Sequence, residues 1–254
     1  MRAPGKSRQA TAVILLRPAG SGAFEVFLTR RPDEMAFLGG MYCFRGMYCF
    51  PGGAVRKDDC APAMLRLCHG LSPADARRIT GADLSPPEAL GFWIAGVREL
   101  FEEAGVLLAV DHSGQAWTAA RDRGHNLFDK HAALLQENLS FRSLLESEKL
   151  LCDASRLVYF SQWQTPEQSS TCFDTRYFLA ALPEDQTPLF SSPEVAYSLW
   201  LTPDRALELF ANNELPIIFP TFASLRTLAD FDSLETVMRE YGSSCAQPKQ
   251  GQRT

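Results

Sequence analysis

Apolar and β-branched residues fill Thr11 to Leu16 and again Phe24 to Thr29, with Pro18-Ala19-Gly20-Ser21-Gly22 between them. Two such runs around a turn-rich loop predict a strand pair. Arg156 to Gln164, Arg176 to Leu182 and Tyr197 to Leu201 read as three further strands. Helical patterning appears elsewhere. Ser85-Pro86-Pro87-Glu88 has a capping serine, prolines in the first turn and an acid at the positive end of the dipole, so a helix should run from there to Ala104 and stop at Gly105. Asn126 to Lys149 presents Leu127, Leu134, Leu135, Leu139 and Leu145 as the apolar side of a second helical region, 126–149. Thr202-Pro203-Asp204 caps a helix through Phe210, and Pro220-Thr221 opens a last one reaching about Tyr241. Strands and helices alternate without a separating linker, which predicts one mixed α/β domain over residues 10–240. Residues 241–254 are polar and read as a disordered tail.

Two segments interrupt this pattern. Gly40-Met41-Tyr42-Cys43-Phe44-Arg45 is followed at once by Gly46-Met47-Tyr48-Cys49-Phe50-Pro51. Two copies are too few for a solenoid, and an even repeat preserves strand face alternation, so a locally lengthened loop or strand is expected. Residues 56–87 are rich in proline and glycine, with short helical stretches at Ala61 to Cys68 and Pro73 to Ile79, and look like a surface insertion.

Composition narrows the class without naming it. Hydrophobic residues are 46% and charged residues 22%, close to the globular average, so a disordered or fibrous chain is excluded. The net charge of −5 argues against a nucleic-acid or anionic-membrane partner. No apolar run approaches the ~18 residues of a membrane span, and no secretory h-region precedes Thr11. A cytoplasmic setting with reduced cysteines is the expectation, despite seven of them. The four histidines and the Cys60-x7-Cys68-His69 run have no metal-ligand spacing, and no nucleophilic serine or cysteine motif is evident.

The chemistry is concentrated in Arg98-Glu99-Leu100-Phe101-Glu102-Glu103-Ala104-Gly105-Val106. On a helix Glu99, Glu102 and Glu103 share one face. Acidic helix faces are ordinarily solvated, but three adjacent carboxylates also suit a hard divalent cation such as Mg²⁺ or Mn²⁺. Chance occurrence of the full pattern, with its arginine, apolar positions and glycine, is on the order of 10⁻⁵ to 10⁻⁴ in a chain this long.

These residues resemble the Nudix hydrolase superfamily, whose box reads G-x5-E-x7-R-E-U-x-E-E-x-G-U with U apolar. The second half matches from Arg98 to Val106, and Phe50-Pro51-Gly52-Gly53 is similar to the strand and loop that open the box. The box allows 13 residues between glycine and arginine; here residues 54–97 number 44, an excess of 31. Eight positions before Arg98 stands Leu90, and Glu88 is out of register, so the first box glutamate reads as missing or displaced. An interrupted box resembles the coenzyme A diphosphatase-like branch. Leu28-Thr29-Arg30-Arg31 ahead of the glycine-rich segment, Gln164-Thr165-Pro166, Phe173 to Phe178 and Trp200-Leu201-Thr202-Pro203 are similar to that branch, although the signature's downstream arginine is replaced near Phe37.

The resemblance implies an α/β/α Nudix fold with a mixed sheet and helical insertions, and metal-dependent hydrolysis of a nucleoside diphosphate linked to another moiety. It implies Glu99, Glu102, Glu103 and the Gly52 carbonyl as ligands of Mg²⁺ or Mn²⁺, and Arg98 as an anchor of the helix. Glu194 is the candidate for a further catalytic glutamate. Arg30, Arg31 and Arg176 are candidates for gripping phosphate, because a guanidinium pairs two oxygens at once; for each, an ordinary ion pair is the alternative. The implied substrate is a small nucleotide diphosphate: coenzyme A or its thioesters, or alternatively NADH, another dinucleotide or a nucleotide sugar. A non-catalytic nucleotide-binding module is the competing reading. Oligomeric state stays open, a homodimer included.

Overall fold

The computed structural model describes residues 7–30, 46–81, 83–118, 127–165, 172–189 and 195–244. Strand β1 (Arg8–Pro18) runs antiparallel to β2 (Phe24–Arg30), as the two apolar runs predict. It also pairs parallel with β9 (Phe173–Ala181), which pairs antiparallel with β8 (Val158–Gln164). With β10 (Tyr197–Leu201) beyond β2, the order is β10-β2-β1-β9-β8, a mixed sheet. Two short strands extend its functional end: β3 (Tyr48–Cys49) on β2 and β4 (Gly52–Ala54) on β1.

β1 is buried on both faces, which is why it reads as an unbroken apolar run rather than an alternating one. Val13 and Leu15 face helix α3 (Pro86–Ala104), together with Phe27 and Phe178. Ile14 and Leu16 face the other way, against α6 (Pro203–Ala211), α7 (Phe219–Leu228) and α8 (Leu234–Ser244). Helices thus cover both faces of the sheet, the α/β/α arrangement expected.

Helix α3 begins and ends where its sequence says. Ser85 Oγ accepts the Glu88 N–H, and Glu88 Oε2 accepts the Ser85 N–H in return. Gly105 closes the helix with φ +67.

Other elements differ from expectation. The region 126–149 is two helices, α4 (Leu127–Leu135) and α5 (Phe141–Glu148), separated by a turn with Glu137 at φ 58. The C-terminal helix likewise breaks into α7 and α8 at residues 229–233. The tail shortens, because α8 continues through residues 241–244. A second sheet, absent from the sequence reading, places β7 (Leu150–Asp153) between β5 (Cys68–His69) and β6 (Ala109–Asp111). Its strands of two to four residues are too short to carry a readable period, and the pairing comes from distant segments.

The insertion does not lie loosely on the surface. With α1 (Pro62–Leu65) and α2 (Pro73–Thr80) it buries Met64, Ala76 and Leu84 in the α3 core. A Cβ on Gly91 would lie 2.4 Å from Cys60 Sγ, so insertion and helix are in tight contact. The repeat is described only in its second copy, where Tyr48 and Cys49 form β3; residues 40–45 lie outside the described residues.

Among the described residues Cys49, Cys60, Cys68, Cys152 and Cys172 are not joined in disulfides. Burial, then Asp59 and Glu88, push the Cys60 thiol up to about 11. A thiol contact from Cys68, then complete burial, raises Cys152 well above its ordinary value. Both should resist iodoacetamide at pH 8 in the native protein and react once unfolded, as peptide mass spectrometry would show. Rapid native labelling of Cys60 would contradict this packing.

Candidate active site

The last two turns of α3 are buried, so its acids cannot be an ordinary solvated face. Glu99, Glu102 and Glu103 are each 5% exposed or less. Buried carboxylates need partners. Arg98, 2% exposed, supplies several of them. Its Nη1 donates to Glu99 Oε1 at 2.6 Å and to Glu102 Oε2 at 3.0 Å. Its Nε and Nη2 form a bidentate pair with Asp59, both bonds 2.9 Å, and Nη2 also donates to the Ala54 carbonyl at 2.9 Å. Arg98 therefore ties the helix to the loop after β4.

Asp59 is the residue the sequence reading missed. Counting back from Arg98 lands on Leu90, but counting forward from Gly53 by the box's own spacing lands on Asp59. Its buried carboxylate, paired with Arg98, occupies the place of the first box acid. The acid is neither missing nor displaced from the glycine, and the 31 extra residues enter after it. The insertion thus begins at about Cys60 rather than at residue 56. A forward count was the available signal.

Arg56 is a second missed partner. Its guanidinium holds Glu102 bidentately, both bonds 3.0 Å, while its own N–H is accepted by Asp59. Burial raises the Glu102 carboxyl above its ordinary value; Arg98 opposes this, Glu99 adds to it, and Arg56 opposes it. His131 on α4 braces the same turn, its Nε2–H donating to the Glu102 carbonyl at 3.0 Å.

The glycine pair is required by close approach. A Cβ on Gly53 would lie 2.5 Å from Glu99 Oε1, and one on Gly52 2.3 Å from the Thr11 carbonyl. The Gly52 N–H donates to Glu103 Oε2 at 3.1 Å. Gly53→Ala should displace Glu99 and cost at least tenfold in turnover while the protein still folds; Gly52→Ala, which strikes backbone, should lower Tm as well. Parallel thermal melts and rate measurements separate the two effects.

Among the described residues four carboxylates (Asp59, Glu99, Glu102, Glu103) lie buried here, and Arg56 and Arg98 pair with three of them, Asp59, Glu99 and Glu102. Among the described residues no three acidic, histidine or cysteine side chains are gathered as a metal-holding group. The oxygen donors nevertheless suit a hard dication, provided that Arg56, with its side chain 57% exposed, swings away from Glu102.

The remaining candidates are placed differently. Arg30 lies at the end of β2, its Nε donating to the Gly46 carbonyl at 3.0 Å, beside Tyr48 and Tyr197. Arg176 faces α3 in the same sheet row as Thr11 and Gly53, but it is buried, paired with Asp174 and stacked 4.7 Å over the Phe92 ring. Arg31 and Glu194 lie outside the described residues.

Comparison with known proteins agrees with this geometry. The NUDT19 Nudix domain matches residues 7–228. The chain is 30% identical to the human acyl-coenzyme A diphosphatase NUDT19, covering 91% of this chain and 68% of that protein. It is 27% identical to the chicken protein of the same name, covering 85% and 64%. The chain thus spans about two thirds of these relatives' length. Its fold is similar to the crystal structure of a NUDIX hydrolase from Alicyclobacillus acidocaldarius, with a TM-score of 0.71, 25% identity, and coverage of 93% and 97%. With the Asp59–Arg98 pair restoring the first half of an interrupted box, and the match running through most of its length, the chain belongs to the Nudix hydrolases, in the family of the NUDT19 Nudix domain.

Proposed function

We propose that this protein is a divalent-metal-dependent diphosphatase acting on coenzyme A or its acyl thioesters, releasing a 3′,5′-bisphosphate nucleotide and a phosphopantetheine product. The observation that carries the reading is the buried carboxylate face of α3 laid against the side-chain-free edge at Gly52-Gly53. The substrate class comes from the name of its human and chicken relatives.

Glu99, Glu102, Glu103 and the Gly52 carbonyl would hold Mg²⁺ or Mn²⁺. When bound, such ions neutralise charge on the phosphate oxygens and lower the pKa of attacking water. Arg98 and Asp59 hold the ligand helix in register with β4. Arg56 covers Glu102 until a cation competes for it. Arg30, with Arg31 next to it in sequence, contacts the substrate's phosphates; Arg176 instead holds β9 against α3. Glu194 is the proposed further acid or base. The working location is the cytoplasm, and the partner is a small molecule rather than nucleic acid. No helix among the described residues is long and apolar enough to cross a membrane.

The non-catalytic alternative has two motives, a displaced first box acid and the hexapeptide repeat just before Gly52, and Asp59 answers the first. A screen of coenzyme A, an acyl-coenzyme A, NADH, a dinucleotide and a nucleotide sugar, with Mg²⁺ or Mn²⁺ and phosphate-product detection, tests the reading. Preference for NADH over coenzyme A would overturn the substrate assignment, and ligand-induced stabilisation without product would overturn hydrolysis.

A further inference from the structure

Two thiols unused by the carboxylate chemistry stand side by side in the second sheet. Cys68 on β5 and Cys152 on β7 are register partners in adjacent parallel strands. Adjacent strands lie ~4.8 Å apart, inside the ~4.4–6.8 Å between Cα atoms that a disulfide spans. Both side chains pack into the core beneath α3, Cys152 fully buried and Cys68 half-buried. The Cys68 side chain is within hydrogen-bonding contact of the Cys152 thiol. The pair thus joins one thiol that a small solute can reach to a second that only its neighbour touches.

A bond between them would matter because of what it encloses. Strand β5 belongs to the insertion that follows Asp59 and is only two residues long. Its tie to β7 includes the Cys152 N–H donating to the Leu67 carbonyl at 2.7 Å. Cys152 stands 84 positions after Cys68, and α3, β6, α4 and α5 all lie between them. A cross-link here closes one long loop that contains the whole carboxylate helix. Closing a long loop restricts the unfolded chain strongly, so such a bond stabilises the fold. It would also fasten the insertion to β7 by a covalent bond in place of a two-residue pairing.

We infer that Cys68 and Cys152 are an oxidation site, forming a reversible disulfide with a hydroperoxide as oxidant. The Cys68 sulfur attacks a peroxide oxygen and breaks the O–O bond, giving a sulfenic acid and, from hydrogen peroxide, one water. The Cys152 sulfur then attacks the Cys68 sulfur; the S–S bond forms, the S–O bond breaks, and hydroxide leaves with the Cys152 proton as a second water. Two thiols lose two electrons and the peroxide gains them. Cys152 is shielded from bulky reagents but not from the sulfur beside it, so burial and cross-linking are compatible. A thiol reductant reverses the bond, as suits an intracellular redox pair.

The test treats the folded full-length chain with hydrogen peroxide, unfolds it in iodoacetamide to block remaining thiols, and maps unreduced peptides by mass spectrometry. We expect a Cys68–Cys152 linked peptide that dithiothreitol abolishes. The oxidised protein should melt roughly 5–15 °C above the reduced one. Cys68→Ser, at a half-buried position, should lose both the linked peptide and the peroxide-dependent rise in Tm, while its reduced form melts near the wild type. Cys152→Ala should leave Cys68 without a partner, so that the same peroxide carries it to sulfinic acid. Sulfinic acid at Cys68 of the wild type with Cys152 still a thiol would overturn the inference. So would two unmodified thiols, a Cys68 bonded to another cysteine, or a linked protein with unchanged Tm. None of these readings involves substrate or metal, so their failure leaves the diphosphatase reading standing.

Discussion

Glu103→Gln should abolish metal-dependent turnover while leaving the fold intact. Glu103 faces the Gly52 N–H, and glutamine keeps an oxygen acceptor for that bond. What the substitution removes is one of the negative charges that make the cluster attractive to a dication. Loss of a charge-stabilising group at a reacting centre costs on the order of 10²–10³ in rate. The melting temperature without metal should stay near the wild-type value, and the rise in Tm on adding Mg²⁺ or Mn²⁺ should shrink. Glu102→Gln should lose activity similarly, but it also disturbs the Arg56 and Arg98 pairs, so Glu103 is the cleaner probe. Full activity in Glu103→Gln would remove the metal assignment.

Asp59→Ala should be the most destabilising single substitution of a charged residue at the site. It leaves Arg98, buried and fully ionised, without its bidentate partner. Breaking a buried pair from one side costs about 3–5 kcal/mol, because the remaining charge is uncompensated. At this chain length that lowers Tm by roughly 6–20 °C. Asp59→Asn, which retains an acceptor, should lose less. Activity should fall with stability, because Arg98 orients Glu99 and Glu102 as well as binding Asp59. A Tm within about 2 °C of the wild type would show that Asp59 is not the acid that completes the box.

The two predictions differ in how readable their residues were. Glu103 stands out in the sequence because the second half of the box is local: arginine, three acids and glycine lie within nine positions, and helical geometry places them. Asp59 is separated from Arg98 by 38 residues, and its role depends on a loop closing onto a helix across that distance. Chain neighbours report helix faces well and loop closure poorly. Arg56 and His131 were invisible for the same reason, since each reaches Glu102 from a segment with no signature of its own.

The sequence by itself determined the central strand pair, the bounds of α3 with both caps and the shared carboxylate face, because these rest on periodicity and capping that act within a few residues; the superfamily came from the resemblance of the box residues. The tertiary structure alone decided that these acids are buried, that the insertion packs into the core, that α4 and α5 are separate, and that β5, β6 and β7 form a second sheet. It also decided that Arg176 is enclosed against Phe92. Each of these depends on contacts between distant segments, where burial and the pairing of desolvated charges outweigh local preference.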